Sequence, residues 1–127
     1  MPTMQEWEVL VVEDELDGQE VVEGILEVFG VACDHVTTAE EGLNRLDEHY
    51  YTVVVCDLHL PNMDGIDFIE AIRDNPSLQD IPCIAVTAYH TTEVKQQALD
   101  AGFDAYLPKP LDDTSFVREL ERIVNRN

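Results

Sequence analysis

A nearly unbroken run of β-branched apolar residues from Thr52 to Cys56 is the feature that most constrains the fold. A strand with apolar side chains at successive positions must be covered on both faces, which is typical of a parallel sheet between helices. Asp57 ends this run, and the turn-forming loop that follows extends to Gly65. Because sheets of this kind hold their chemistry at the carboxyl ends of central strands, Asp57 is the first candidate functional residue.

Four further apolar runs predict the other strands, and helical periodicity separates them. The predicted strands are Glu8 to Val12, Val31 to Val36, Tyr51 to Asp57, Ile81 to Ala88 and Ala105 to Leu107. The helices are predicted to begin near Leu16, at Thr38 with a capping box to Glu41, at Asp64, at Thr91 or Thr92, and at Asp112 or Asp113. The fourth helix carries few apolar residues, so we expect it to be the least firmly packed.

Strand and helix therefore alternate five times with short connections. This order predicts an α/β fold in which a five-stranded parallel sheet of order 2-1-3-4-5 has helices on both faces, the flavodoxin-like doubly wound (βα)5 arrangement. A length of 127 residues with 45% hydrophobic content suits one domain spanning positions 1–127, and we expect no output domain. The sequence contains no apolar run long enough for a membrane span and no signal peptide, so we expect a soluble, cytoplasmic protein.

Charge and cysteine content narrow the possible partners. The chain has 7 Lys and Arg residues against 27 Asp and Glu residues, a net charge of -20, which disfavours direct contact with nucleic acid or a membrane surface. Adaptation to high salt and complementarity to a basic partner both explain such a surface. Cys33, Cys56 and Cys83 lack metal-binding spacing, and we expect them to be reduced and buried.

The predicted strand order brings acidic residues together. Glu13 and Asp14 follow the first strand, and in the order 2-1-3-4-5 they share a crevice with Asp57. Two carboxylates about 4 Å apart repel by roughly 4 kcal/mol at an effective dielectric near 20, so such a cluster needs a counter-ion. Oxygen ligands with open water positions suit Mg²⁺.

Two more polar residues end strands at the same edge of the predicted sheet. Lys109 follows the fifth strand and is one of only two lysines in the chain, whereas Thr87 closes the fourth strand. The ammonium group of Lys109 is suited to pair with Asp57 and to neutralise a phosphoryl oxygen, and Thr87 offers a hydroxyl donor. Taken singly each residue is ordinary, but the combination with the acidic cluster is hard to attribute to chance.

With these residues in place the sequence resembles the receiver domain of two-component response regulators, over nearly its whole length. The matching positions are Glu13 with Asp14, Asp57 with LPNMDG downstream, Thr87 with Ala88, Tyr106, and Lys109 with Pro110. The resemblance implies that Asp57 is the phosphoacceptor and that Thr87 and Lys109 contact the phosphoryl group. It implies Mg²⁺ held by Asp14, by Asp57, by Glu13 through water and by the backbone carbonyl of His59. A cis bond is expected before Pro110.

The resemblance also implies a signalling role. A sensor histidine kinase or phosphotransfer protein would supply the phosphoryl group, and the protein would act as an enzyme only on its own phosphorylation and dephosphorylation. Thr87 would shift toward the phosphoryl group, Tyr106 would turn inward, and a downstream protein effector would bind the face formed by the fourth helix, fifth strand and fifth helix. His59 and Tyr89 fall at positions that tune phosphoryl lifetime, and we expect their bulk to slow hydrolysis.

Three other classes of protein share part of this sequence pattern. A flavodoxin-like cofactor binder needs a phosphate-binding loop after the first strand, where Glu13, Asp14 and Glu15 would repel a phosphate. A phosphatase of the haloacid dehalogenase kind would have a second aspartate at the position of His59. A pseudo-receiver, which binds partners without phosphorylation, would lack the acidic pair or the lysine; it is the alternative to a working receiver.

Overall fold

The computed structural model describes residues 3–126, and its sheet has five strands. They are β1 (Glu8–Val12), β2 (Ala32–Val36), β3 (Val53–Asp57), β4 (Cys83–Thr87) and β5 (Ala105–Pro108). All neighbouring strands pair in parallel, in the order β2-β1-β3-β4-β5. The predicted fold class and strand order are confirmed. The third and fourth strands are shorter than predicted: β3 begins at Val53 instead of Tyr51, and β4 spans Cys83–Thr87 instead of Ile81 to Ala88. The later start of β4 follows from Pro82, which has no N–H to donate to the ladder.

Five α-helices follow the strands in turn. They are α1 (Leu16–Val28), α2 (Ala39–Glu48), α3 (Gly65–Asp74), α4 (Thr92–Ala101) and α5 (Asp113–Val124). A short 3-10 helix at Met4–Glu6, which the sequence did not predict, precedes β1. Within residues 3–126, no helix has both the length and the apolar character that crossing a bilayer requires.

The helices cover the two faces of the sheet with separate apolar cores. On one face α1 and α5 pack on the sheet, with Trp7, Leu26 and Phe116 among the buried side chains. On the other face α2, α3 and α4 contribute a second core that includes Phe68 and Ile72. Every residue of β3 and β4 is buried, as the apolar runs predict. The rigid centre of the sheet thus carries Asp57 and Thr87 at its carboxyl edge.

The helix starts follow the predicted caps with one difference. The Asp64 side chain accepts from the backbone N–H of Asp67 to form a capping box at α3. At α2 the hydroxyl oxygen of Thr38 accepts from the Glu41 backbone N–H at 3.1 Å. The carboxylate of Glu41, however, accepts from the hydroxyls of Thr37 and Thr38 instead of the backbone of Thr38, so only half of the predicted capping box forms.

The remaining predictions concern the first residues of α4 and α5, the packing of α4 and the burial of the cysteines. Thr91 and Asp112 are the caps of α4 and α5. Helix α4 buries only Ala98 fully, in agreement with its polar sequence. The prediction that all three cysteines are buried is wrong for Cys33, which is partly exposed because β2 is an edge strand; all three thiols are free.

Candidate functional site

The candidate site lies where β1, β3, β4 and β5 end together. Backbone hydrogen bonds continue past the last paired residues and fix the segments that follow. The N–H of Leu58 donates to the carbonyl of Val86 at 3.0 Å, and the N–H of Lys109 donates to the carbonyl of Thr87 at 2.8 Å. The peptide bond between Lys109 and Pro110 is cis, as expected. These contacts place the side chains that follow the strands around one crevice.

Three carboxylates meet in this crevice. Glu13, Asp14 and Asp57 each present an oxygen, and the three oxygens lie within 4.8 Å of one another. Glu13 and Asp57 are 3% and 4% exposed, whereas Asp14 is exposed to solvent. The crevice predicted from the strand order is therefore confirmed. Two buried carboxylates and one open to water form an oxygen-only donor set that leaves room for bound waters, as Mg²⁺ requires.

Lys109 neutralises part of this charge. Its Nζ lies 2.8 Å from Oδ2 of Asp57 and 2.5 Å from Oε1 of Glu13. Burial and a hydrogen bond with Asp57 raise the pKa of Glu13, the hydrogen bond from Lys109 opposes them, and the net result is a pKa of about 7. Burial lowers the pKa of Lys109, but its bonds to the two carboxylates outweigh this and leave that pKa raised. The lysine therefore stays charged at neutral pH and pairs with both acids.

The second oxygen of Asp57 is also held. Oδ1 accepts a hydrogen bond of 2.8 Å from the backbone N–H of His59. The loop approaches so closely that a Cβ atom at Gly65 would lie 2.7 Å from the Cα of Leu58 and 2.9 Å from the carbonyl oxygen of Asp57. Gly65 is thus required for this approach, and the Asp57 carboxylate is fixed from both sides.

Two residues that the sequence analysis did not assign to the site support Glu13. The carbonyl oxygen of Glu13 lies 2.9 Å from Nε2 of His35 and accepts a hydrogen bond of 3.2 Å from the side-chain amide of Gln19. The position of His35 near the end of β2, next to β1 in the sheet, is the signal that relates it to Glu13.

The aromatic residues predicted to tune the reaction lie beside the crevice. Thr87 is 1% exposed, and its hydroxyl oxygen accepts from the backbone N–H of Tyr89 at 3.0 Å. The rings of His59 and Tyr89 have centroids 4.9 Å apart. These three residues help to line a cavity of about 190 Å³. The two bulky side chains thus stand together at the side of Thr87 that faces α4.

Tyr106 already lies inward in this structure, the position that the resemblance assigns to it after Thr87 shifts. Its side chain is 7% exposed, and its hydroxyl lies 2.8 Å from Nδ1 of His90 in the loop between β4 and α4. Burial raises the pKa of Tyr106. His90 was not predicted from the sequence, because nothing in the local pattern connects it to a strand 16 residues further on.

Fold and site together define the class of protein. Residues 9–121 match the family described as the response regulator receiver domain. The chain belongs to this family.

Particular relatives refine this assignment. An uncharacterised 14.6 kDa protein of Leptolyngbya boryana is 34% identical over 122 residues, which cover 96% of this chain and 93% of that protein. Response regulator Rre1 of Synechocystis is 33% identical over 91% of this chain, which spans only about half (49%) of the length of Rre1. Among solved structures, the receiver domain of a sensor histidine kinase from Pseudomonas aeruginosa, described with a magnesium ion coordinated in its active site cleft, is 29% identical. Its TM-score is 0.86, with 93% of this chain and 97% of that chain covered.

Proposed function

We propose that this protein is a phosphoacceptor in a two-component system. In the cytoplasm, Asp57 would take a phosphoryl group from the phosphohistidine of a sensor histidine kinase or a phosphotransfer protein, with Mg²⁺ as cofactor. The observation that carries this proposal is the environment of Asp57: a nearly buried carboxylate held by Lys109 and by the N–H of His59, beside two further acids. A carboxylate that served only to start a turn would need none of these partners.

The donor set fits the metal. Glu13, Asp14, Asp57 and the backbone carbonyl of His59 would hold Mg²⁺, and all of these donors are oxygens, which Mg²⁺ prefers. When bound, the ion offsets the negative charge that builds up between the carboxylate and the phosphoryl oxygens.

The side chains of the site account for the transfer itself. An oxygen of Asp57 forms a bond to phosphorus while the bond from phosphorus to the imidazole nitrogen of the donor breaks, and that nitrogen keeps the electron pair. Lys109 donates a hydrogen bond of 2.8 Å to Asp57. From this position its ammonium group would stabilise the negative charge that develops on the equatorial oxygens of the phosphoryl group. The hydroxyl hydrogen of Thr87 remains available to a phosphoryl oxygen, because its oxygen only accepts from Tyr89. The protein thus contributes positioning and electrostatic stabilisation.

Phosphorylation would then change partner binding. A shift of Thr87 toward the phosphoryl group breaks its bond to Tyr89 and moves the loop that carries His90. Because His90 in that loop contacts the hydroxyl of Tyr106, the movement of the loop would alter the surface formed by α4, β5 and α5. We propose that a downstream protein effector binds this surface. The charge of the phosphoryl group would in this way shift the equilibrium between two conformations of that surface.

Incubation with acetyl phosphate and Mg²⁺ tests the proposal. Intact mass should rise by one phosphoryl group in the wild type and in Asp100→Asn, an exposed aspartate of α4, but not in Asp57→Asn. Labelling that persists in Asp57→Asn would contradict the assignment of the phosphoacceptor. A wild type that folds and binds Mg²⁺ yet gains no mass would support the alternative, a pseudo-receiver that acts through protein contacts alone.

A further inference from the structure

A groove opens at the edge of the sheet opposite Asp57. The loops from α2 to β3 and from α3 to β4 enclose a volume of about 510 Å³ there. Its floor is apolar and includes the buried Leu46 and the half-buried Leu78 and Ile81. A volume of this size accommodates several side chains of a bound segment.

The rim of this groove is acidic and carries an exposed aromatic ring. Asp47, Glu48 and Asp80 line it, and no Lys or Arg does. Within residues 3–126, none of these three carboxylates has an ion-pair partner within 4.0 Å. Tyr50, also on the rim, is 78% exposed. The groove therefore combines apolar contact area with three carboxylates that form no ion pair within residues 3–126, and the nearby guanidinium of Arg126 lies 3.3 Å from the Asp80 carbonyl oxygen.

The loop that carries Tyr50 is anchored on both sides. Nε2 of His49 lies 3.1 Å from Oε1 of Glu8, and its ring packs edge-on against Tyr51 with centroids 4.8 Å apart. The hydroxyl of Tyr51 donates to Asp34 at 2.7 Å. Because these contacts fix the residues on either side of Tyr50, the groove is formed before any partner binds, which lowers the entropic cost of binding.

We propose that this groove binds an arginine-bearing segment of a partner protein. The planar guanidinium group stacks on aromatic rings such as that of Tyr50 and pairs with carboxylates in a fixed geometry, and it is less strongly hydrated than a lysine ammonium. Apolar residues beside the arginine would contact Leu78 and Ile81. The charge of the rim favours a basic protein segment and repels the phosphates of a nucleic acid or an anionic lipid.

This inference goes beyond phosphoryl transfer. A strand of five residues such as β3 is about 17 Å long, so the groove and Asp57 lie at opposite ends of the sheet. A segment bound in the groove leaves the crevice around Asp57 open. The groove would therefore hold its partner whether or not Asp57 is phosphorylated, in contrast to the effector surface on α4, β5 and α5.

Titration of the isotope-labelled full chain with a synthetic peptide of alternating arginine and leucine tests the proposal. At 0.15 M salt, we expect the largest amide shift changes in residues 46–51 and 77–81. The triple variant Asp47→Asn/Tyr50→Ala/Asp80→Asn should bind the peptide about tenfold more weakly, since it loses one cation–π contact and two ion pairs. All three side chains are exposed, so the variant should keep the fold, which its amide spectrum verifies.

A matched control separates the groove from the general acidity of the chain. Glu20→Gln/Glu27→Gln/Tyr89→Ala removes the same charge and one exposed tyrosine elsewhere, and it should bind within twofold of the wild type. Equal losses in both triple variants, shift changes spread over the whole surface, or equal binding of a glutamate–leucine peptide would overturn the proposal. Affinity that is unchanged after the wild type is phosphorylated with acetyl phosphate and Mg²⁺ supports independence from phosphorylation, and affinity lost on phosphorylation refutes it.

Discussion

Gly18 in α1 lies directly against the carboxylate of Glu13. A Cβ atom at position 18 would be 2.0 Å from Oε1 of Glu13 and 2.6 Å from its Cδ, distances that no structure tolerates. The clash involves the end of a flexible side chain, so the glutamate can move away while the helix persists. The absence of a side chain at position 18 therefore permits the position of Glu13 beside Lys109 and Asp57.

Gly18→Ala should consequently displace Glu13 and weaken Mg²⁺ binding by roughly tenfold, which is typical of changes that disturb how a ligand is oriented. Gly24→Ala in the same helix is the control, because a Cβ there meets no atom within 4 Å. The control should bind Mg²⁺ like the wild type and gain about 0.5–1 kcal/mol of stability from helix propensity. Calorimetric Mg²⁺ titration and urea unfolding measure the two effects. Equal Mg²⁺ affinity in both variants would contradict the assigned role of Gly18.

Lys109 should stabilise the metal-free protein, because it is the counter-ion of two nearly buried carboxylates. Lys109→Met leaves both acids without that partner and should lower the free energy of unfolding by about 3 kcal/mol in the presence of a chelator. Added Mg²⁺ should recover part of the loss. Lys95→Met, at the exposed second lysine, should change stability by less than about 0.5 kcal/mol. A loss in Lys109→Met that Mg²⁺ leaves unaltered would argue against a metal site at these carboxylates.

The raised pKa of Glu13 predicts a dependence of stability on pH in the metal-free protein. Its pKa is about 7 in the folded state against an ordinary value of 4.5, so between these values the folded state binds more protons than the unfolded state. The contribution of Glu13 therefore favours folding at low pH and is lost as pH rises from about 4.5 to 7, by up to about 3 kcal/mol.

Urea unfolding of the wild type and of Glu13→Gln across this range, with a chelator present, isolates the effect. The difference in stability between the two proteins should shift in favour of the variant as pH rises, and should level off above pH 7. The variant controls for the repulsion among the other acids of a chain with net charge -20, which both proteins share. Parallel pH profiles would show that the pKa of Glu13 is the same in the folded and unfolded states.

His90 should keep the hydroxyl of Tyr106 in its inward position, since the two groups are 2.8 Å apart. Loss of one such hydrogen bond costs about 1 kcal/mol, so His90→Ala should raise the rate at which tetranitromethane nitrates Tyr106 by about fivefold. His49→Ala, at the opposite edge of the sheet, should leave that rate unchanged. Peptide mapping reports each tyrosine separately, and the exposed Tyr89 gives an internal standard. An unchanged rate in His90→Ala would mean that packing alone holds Tyr106.

Some site residues could be predicted from the sequence and others could not. The two groups differ in what determines their positions. Asp57 and Lys109 directly follow apolar runs, so the strand pattern places them at one edge of the sheet, and the parallel order brings them together. His90 and Gly18 act through contacts with residues far away in the sequence or on another element. How the helices and strands pack, and the path of the loops between them, determine these contacts. Such contacts leave no local periodicity. Cys33 shows the same limit, because its exposure depends on β2 being an edge strand.

The pair formed by His59 and Tyr89 gives the most direct test of how the site would control phosphoryl lifetime. Their rings lie 4.9 Å apart beside the cavity next to Thr87. If Asp57 is the phosphoacceptor, these rings would restrict the approach of water to its phosphoryl group. His59→Ala/Tyr89→Ala should lose its phosphoryl group roughly tenfold faster, equivalent to about 1.4 kcal/mol of barrier.

His49→Ala/Tyr50→Ala removes a histidine and a tyrosine at the opposite edge of the sheet and should leave the rate at its wild-type value. Both proteins are incubated with acetyl phosphate and Mg²⁺, freed of the donor by rapid desalting, and followed by intact mass, on the expectation that Asp57 takes up the phosphoryl group. If the two variants decay at one rate, water already reaches the phosphoryl group past His59 and Tyr89, and shielding by these rings does not set its lifetime. The main-chain hydrogen bond from His59 to Asp57 does not depend on the side chain and survives the substitution. If only His59→Ala/Tyr89→Ala loses its phosphoryl group faster, the two rings are therefore what slows hydrolysis.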